Sequence, residues 1–256
     1  MAAVTVHLIR HGDLAELRLD NPAKLNALTV AMLEALAAHL DTLEREGARG
    51  LLLTATGNRA FCTGADINAW AGLSPAEFAR TWVRGGHRIF DRLARLACPS
   101  IAVLQGHAFG GGLELAAACD IRVMAPEATL ALPETGVGIV PGWSGTQRLT
   151  RLLPEPVVKE MALFGRRLSA DRALALGFVA EVSEQPFETA WAIAARLAET
   201  SPRATEVAKY MIHAGRGEDA PALIEALASG MTAASADKAE GVDSFRAKRK
   251  PDFKGA

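Results

Sequence analysis

Apolar and polar residues alternate in two segments near the amino terminus. Residues 4–8 and 15–19 each place an apolar side chain at every second position. A period of two is typical of a strand with one buried face. His11-Gly12-Asp13 lies between the segments and contains turn-forming residues, so the pattern predicts a β-hairpin.

Helical spacing follows. After Thr29 the apolar residues recur three and four positions apart up to Gly47, which predicts a helix with a threonine N-cap and a glycine end. Ser74-Pro75-Ala76-Glu77 has the form of a capping box with proline in the first turn. A second helix is therefore expected to begin there and to end before Pro99.

Short apolar runs predict buried strands between these helices. The runs are residues 51–54, 101–104, 121–124 and 129–131. Residues 178–182 are expected to return as a strand, after a helix that Ser169 caps and Gly177 ends. Strands that alternate with helices indicate an α/β body.

The strand pattern stops after about residue 185. From Phe187 to Arg249 the apolar positions keep helical spacing, with breaks near Pro202, residues 215–217 and Gly241. A helical segment of this size is too small to cover all of its own apolar faces. We therefore expect it to pack on the α/β body or on another subunit. The pattern predicts an α/β core over residues 1–185 and a helical region over residues 186–256.

Composition narrows the classes of function. The net charge is −1, so the chain lacks the basic excess of a general nucleic-acid or membrane-surface binder. No apolar run reaches the ~18 residues that a membrane span requires. Three cysteines, Cys62, Cys98 and Cys119, form no CxxC pair. We therefore expect neither a disulfide framework nor a metal site, and we predict a cytoplasmic protein.

The stretch GHAFGGGLELAAACD, residues 106–120, carries the strongest candidate chemistry. Three glycines precede a helix-like segment that is apolar on every side except at Glu114. A helix N-terminus presents amide donors, and glycines let a ligand approach them, so the stretch can stabilise an oxyanion beside a carboxylate. The structural alternative is that Glu114 only interacts favourably with the positive end of the helix dipole and that the glycines only allow tight packing.

Two further loops carry candidate groups. Thr63-Gly64-Ala65-Asp66 is predicted as a turn into a helix, whose amides can face a ligand. Glu134 follows the strand at residues 129–131, lies in a loop, and is the second candidate acid. An ordinary turn and a solvated carboxylate are the structural alternatives.

Five stretches together resemble the enoyl-CoA hydratase/isomerase family, also called the crotonase family. In chain order they are NPAKLNALT (21–29), AFCTGADI (60–67), GGGLELAAACD (110–120), LPETGVGIVPG with GTQRL (132–149) and SFRAKRKPDF (244–253). Each stretch alone is weakly specific, but five in the family's order are strongly specific. The resemblance covers nearly the whole chain.

The resemblance implies a crotonase-like spiral of strand-strand-helix turns, followed by a C-terminal helical trimerisation region. It implies a homo-hexamer built as a dimer of trimers. The implied activity is that of an enoyl-CoA hydratase, which adds water across the 2,3 double bond of an enoyl-CoA thioester. Coenzyme A is then part of the substrate, so no separate cofactor, metal, nucleic acid or membrane is expected.

The resemblance also implies roles for single residues. The amides of Ala65 and Gly111 hold the thioester oxygen, Glu114 activates water, and Glu134 donates a proton to Cα. Trp70 is expected to line the acyl pocket. The residues implied in binding coenzyme A are Lys24, Ala65, Asp66, Ile67, Asn68, Gly111, Phe245 and Lys248, of which the last two reach the coenzyme A of a neighbouring subunit.

Trp143 and Ser144 depart from the family pattern, in which hydratases commonly carry a small residue and a glycine. Trp143 either narrows the acyl pocket or turns into the core, and the sequence leaves both open. An isomerase or another acyl-CoA dehydratase of the same fold is the alternative activity, although two retained glutamates favour water addition. The basic segment at residues 246–250 leaves an RNA or nucleotide binder as a remote alternative.

Overall fold

The computed structural model describes residues 4–217 and 220–255. The chain forms two compact units that divide between Pro202 and Arg203. The strands of the first unit are β1 (Thr5–His11), β2 (Leu14–Asp20), β3 (Gly50–Ala55), β4 (Ala60–Cys62), β5 (Ser100–Leu104), β6 (His107–Phe109), β7 (Ile121–Met124), β8 (Thr129–Ala131), β9 (Leu168–Ser169) and β10 (Glu181–Val182).

The first-unit helices alternate with these strands. They are α1 (Val30–Glu46), α2 (Pro75–Glu77), α3 (Arg84–Ala94), α4 (Gly111–Ala117), α5 (Gly145–Leu152), α6 (Glu155–Phe164), α7 (Ala170–Ala175) and α8 (Pro186–Ala195). The predicted caps are present, since Thr29 accepts from the Met32 amide and Ser74 forms its capping box with Glu77. A π-helical segment, Phe78–Val83, joins α2 to α3.

The larger sheet has the strand order β1-β2-β3-β5-β7-β10. β1 and β2 form the predicted antiparallel hairpin, and every later neighbour pairs in parallel. Parallel strands of this kind are buried on both faces, which explains why β3 and β5 are continuous apolar runs.

A smaller sheet has the order β4-β6-β8-β9, in which β4, β6 and β8 are parallel. β4 and β6 have three residues each and were not predicted from the sequence. Each turn of the chain places one strand in the larger sheet, the next in the smaller sheet, and then a helix. This repetition over β3-β4, β5-β6 and β7-β8 is the predicted strand-strand-helix spiral, and the fold class is confirmed.

The first unit extends beyond the sequence-predicted boundary at residue 185. α8 belongs to it because Ala190 and Ala194 are buried against the larger sheet, beside Leu52, Ile101 and Val103. The helical periodicity of residues 187–195 was identified correctly. Periodicity alone does not reveal which apolar surface a helix covers.

The second unit contains α10 (Ala220–Ala233), α11 (Ala236–Ala247) and nearly all of α9 (Pro202–Gly215). The predicted helix break at Gly241 is wrong, because Gly241 lies inside α11; the break falls at Ser235, which caps that helix. One glycine costs a helix interior only ~1 kcal/mol relative to alanine, so it does not end the helix. Within the described residues, no helix is long and apolar enough to cross a membrane.

Candidate active site

Three loops meet at one edge of the smaller sheet. Residues 63–65 follow β4, Gly110 and Gly111 follow β6, and Glu134 lies just beyond β8. Because the three strands are parallel neighbours, their carboxyl ends lie at the same edge. The loops border a cavity of about 170 Å³, lined by Thr63, Gly64, Ala65, Ile67, Trp70, Phe78, Trp82, Val83, Gly110, Gly111, Glu114, Pro133, Glu134, Val137, Ile139, Val140, Gly142 and Trp143.

The two predicted oxyanion donors lie side by side in this cavity. A β-carbon built on Gly111 stands 3.6 Å from the Ala65 nitrogen, and one built on Gly64 stands 3.4 Å from the Gly111 nitrogen. Within residues 4–217 and 220–255, neither amide donates a hydrogen bond to another protein group. Two neighbouring amides are therefore left to bind a ligand oxygen.

The glycines at this edge are required by space. Gly110 has a φ of 51°, and a β-carbon on it would lie 2.5 Å from Oε1 of Glu134. A β-carbon on Gly111 would lie 2.8 Å from Cε3 of Trp143. A side chain at either position would displace a group that lines the cavity.

Glu114 lies in the first turn of α4, which is buried on all sides, and is only 3% exposed. Its Oε1 accepts hydrogen bonds from the Trp143 amide at 2.7 Å and the Gly145 amide at 2.6 Å. Burial, followed by the charge of Glu134, raises the pKa of Glu114 to about 7, although the two amides and Arg148 act in the opposite direction.

Glu134 begins a short 3-10 helix, Glu134–Val137, and is 8% exposed. The sequence predicted a loop position, and the carboxylate is buried rather than solvated. Oε2 of Glu134 has no hydrogen-bond partner in the part of the chain that the structure describes, and burial raises the pKa of this side chain to about 7. Because the two buried carboxyls line one cavity and the charge of Glu134 raises the pKa of Glu114, the pair can share a single proton.

Trp143 satisfies both interpretations that the sequence left open. The side chain is 3% exposed and packs against Trp82, with ring centroids 5.1 Å apart, and Phe90, at 5.3 Å. Its ring also lines the cavity beside Gly111. Trp143 is thus part of the core and part of the cavity wall.

Sequence reasoning missed the other aromatic wall residues. Phe78 packs edge-to-face on Trp70 at 5.6 Å, and the carbonyl oxygen of Trp82 accepts a hydrogen bond from the Trp143 indole N–H at 3.3 Å. Phe78 and Trp82 belong to the π-helical segment Phe78–Val83. Their only sequence signal is a place in a predicted helix, which does not distinguish a cavity wall from an ordinary core face.

The residues predicted to bind coenzyme A fall in both units. Lys24 forms an ion pair with Asp66 at 2.7 Å, and this bond holds the pKa of Asp66 below its usual value. Asp66 also accepts from the Asn68 amide at the start of Ile67–Ala69. Phe245 and Lys248 lie in the second unit, where Phe245 is 85% exposed and Lys248 ends α11.

The basic segment behind the RNA-binding alternative is partly neutralised. Arg249 forms two hydrogen bonds with the carboxylate of Glu240, at 2.5 and 2.8 Å. A side chain held in this way is less available to a phosphate backbone, which weakens that alternative.

Comparisons with known proteins identify the family of this chain. A model of the enoyl-CoA hydratase/isomerase family matches residues 10–256. A probable enoyl-CoA hydratase of Bacillus subtilis is 37% identical over 247 residues, covering 94% of this chain and 95% of that protein. The short-chain-enoyl-CoA hydratase of Clostridium acetobutylicum is 32% identical over 250 residues, covering 96% and 95%. An enoyl-CoA hydratase crystal structure from Bacillus anthracis has a TM-score of 0.80 at 34% identity, covering 98% and 99%.

Proposed function

The chain belongs to the enoyl-CoA hydratase/isomerase family, and we propose that it adds water across the 2,3 double bond of an enoyl-CoA thioester to give a 3-hydroxyacyl-CoA. One observation carries the proposal. One cavity holds two buried glutamates and two amides that have no protein acceptor among the described residues. Relatives named as enoyl-CoA hydratases over nearly the whole chain support the same reaction.

The amides of Ala65 and Gly111 stabilise the thioester oxygen. Water adds at Cβ only if negative charge moves onto the carbonyl oxygen. Two fixed donors and the positive end of α4 stabilise this enolate, and removal of one such donor typically costs ~2.7–4 kcal/mol of barrier.

The surroundings of the two acids assign their roles. Two amides and Arg148 stabilise a negative charge on Glu114, whereas Glu134 has a buried oxygen without a partner. The shared proton therefore resides on Glu134, and Glu114 is the ionised base. Glu114 takes a proton from water as the water oxygen bonds to Cβ of the substrate. Glu134 gives its own proton to Cα.

The acyl group is short in this proposal. The cavity of about 170 Å³ is small, and Trp70, Phe78, Trp82 and Trp143 line it with bulky aromatic side chains. Each added methylene of the acyl chain needs further space, and packed rings move aside only at a cost in free energy. The Clostridium acetobutylicum relative is itself named as a short-chain enzyme.

Binding of coenzyme A and assembly complete the proposal. Lys24 and residues 65–68 follow the coenzyme A moiety, and Phe245 and Lys248 reach it from a neighbouring subunit of a homo-hexamer in the cytoplasm. The proximity of Lys24 to Asp66 supports the first contact, and the exposure of Phe245 supports the second.

The test measures hydration of 2-enoyl-CoA thioesters of four to sixteen carbons by the wild-type chain and by Glu114→Gln and Glu134→Gln. Each glutamine keeps the shape of the side chain but removes acid-base function, so kcat should fall by about 10²–10⁴-fold. The wild-type rate should be highest for crotonyl-CoA. Binding of butyryl-CoA, which has no double bond, is the control and should remain within a few-fold of wild type.

Wild-type kcat in both variants would contradict the proposed roles. Isomerisation of a 3-enoyl-CoA without hydration of its 2-enoyl isomer would favour the isomerase instead.

A further inference from the structure

Glu114 is held by a backbone turn of unusual conformation. The amides of Trp143 and Gly145 both donate to Oε1 of Glu114. Ser144, between them, has a φ of 81° and a ψ of 12°. A left-handed residue between two amides can turn the backbone so that both amides point toward one anion.

The left-handed conformation is unfavourable for serine and favourable for glycine. A β-carbon crowds the following carbonyl oxygen in this region, and glycine has none. Ser144 must therefore be held in place by its surroundings. It is 7% exposed and does not line the cavity, so it does not reach the substrate itself.

A chain of side-chain contacts holds Ser144. Its Oγ lies 2.9 Å from Nδ1 of His87 on α3, and Nε2 of His87 lies 3.2 Å from Asp91 one turn later. Asp91 also accepts from Arg148 of α5 at 2.7 Å. A carboxylate only accepts hydrogen bonds, so the contact with Asp91 favours an N–H on Nε2 of His87 and leaves Nδ1 to accept from the Ser144 hydroxyl.

We infer that Ser144, anchored by His87 and Asp91, is a positioning residue that fixes the two amides orienting Glu114. This inference rests on the proposed role of Glu114 as the base. Loss of the anchor lets the backbone leave the left-handed region, and the two amides then turn away from Oε1. Glu114 loses both its orientation and the donors that stabilise its anion.

The anchor also affects the pH dependence of the reaction. The charged groups acting on Glu114 are Glu134, from the segment after β8, and Arg148, from α5. Both remain when Ser144 is changed. Two lost amide donors therefore raise the pKa of Glu114, and the acid limb of the kcat profile moves to higher pH.

The experiment compares Ser144→Ala with Ser144→Gly. Alanine is as unfavourable as serine in the left-handed conformation but lacks the anchoring hydroxyl. We therefore expect kcat for crotonyl-CoA to fall by about 10–100-fold and the acid limb of the kcat profile to move to higher pH. Glycine adopts the conformation without an anchor and should restore both the rate and the limb. Butyryl-CoA binding should change little in either variant, because Ser144 does not line the cavity.

His87→Leu supplies a second, independent reading. It should reproduce the rate loss and pH shift of Ser144→Ala, and it should have no further effect when combined with Ser144→Gly. Wild-type kcat and acid limb in Ser144→Ala, or equal losses in the alanine and glycine variants, would overturn the inference.

The role of Glu114 is tested separately. In the Glu114→Gln background, Ser144→Ala should cause no further loss of kcat, because the side chain that it positions no longer acts as a base. An additional full loss there would overturn the inference while leaving the proposed function intact. If Glu114→Gln alone has wild-type activity, the proposed role of Glu114 fails instead.

Discussion

Glu134 shows at the scale of one residue how the site opposes stability. Its carboxyl is buried and Oε2 has no hydrogen-bond partner within residues 4–217 and 220–255, so ionisation inside the fold is unfavourable. The folded chain keeps the proton up to about pH 7, whereas an unperturbed glutamate releases it near 4.5. The protonated form contributes stability that is fully present below about pH 4.5 and is lost as pH rises through 7.

Glu134→Gln should therefore stabilise the fold mainly at high pH. The free energy of unfolding should exceed that of wild type at pH 8 by on the order of 1–3 kcal/mol, and the gain should be smaller at pH 5. Urea unfolding at both pH values and one protein concentration measures the difference. The exposed Glu127→Gln is the control. A loss of stability at pH 8, or the same gain at both pH values, would contradict this explanation.

At the scale of an element, the N-terminus of α4 serves packing and chemistry together. Its first residue, Gly111, contacts the Trp143 ring and offers its amide beside that of Ala65. The two explanations that the sequence left open, a packing glycine and a donor glycine, apply to the same residue. The ring and the ligand oxygen can both approach closely only because residue 111 has no side chain.

Gly111→Ala should cost activity because its β-carbon overlaps the Trp143 ring and crowds the space between the two amides. We expect kcat/KM for crotonyl-CoA to fall by at least ~10²-fold. Gly85→Ala is the matched control, since a β-carbon on Gly85 in α3 meets open space and alanine favours a helix. Steady-state kinetics with circular dichroism separates lost activity from lost folding. Equal kinetics in the two variants would be inconsistent with this account of α4.

At the scale of the whole molecule, the second unit leaves apolar side chains exposed. Met211, Ile212, Ile224 and Met231 are each more than 60% exposed on α9 and α10. Exposed apolar groups of this number in so short a segment mark an interaction surface. They support the predicted trimerisation region, whose role stays a prediction.

Light scattering should show an assembly of six chains of 27.0 kDa each. Met231→Asp should dissociate it, because a buried unpaired charge at an apolar interface is strongly unfavourable. Ser229→Asp adds the same charge two residues earlier, on the opposite side of α10, and should leave the assembly intact. The mass of the wild-type protein in solution tests the predicted hexamer, and a stable monomer would exclude it.

Features that depend on residues close together in the sequence were predicted correctly. The β1–β2 hairpin, the Thr29 and Ser74 caps and the Glu114 helix depend on neighbouring residues, which the sequence displays directly. The five ordered motifs identified the family, which the comparisons confirm. The wrong break at Gly241 shows the limit of this reasoning, because a single weak helix former does not decide where a helix ends.

The sequence by itself therefore determined the α/β class, the family and the two candidate acids, because periodicity, caps and motifs are local patterns. Only the tertiary structure decided how the site is assembled. Three-residue strands β4 and β6 carry too little pattern to be recognised, yet their pairing brings the amides together. Ser144 and His87 are 57 positions apart, and Trp143 and Trp82 are 61 apart. Contacts over such separations arise from packing of distant elements, which no local pattern encodes.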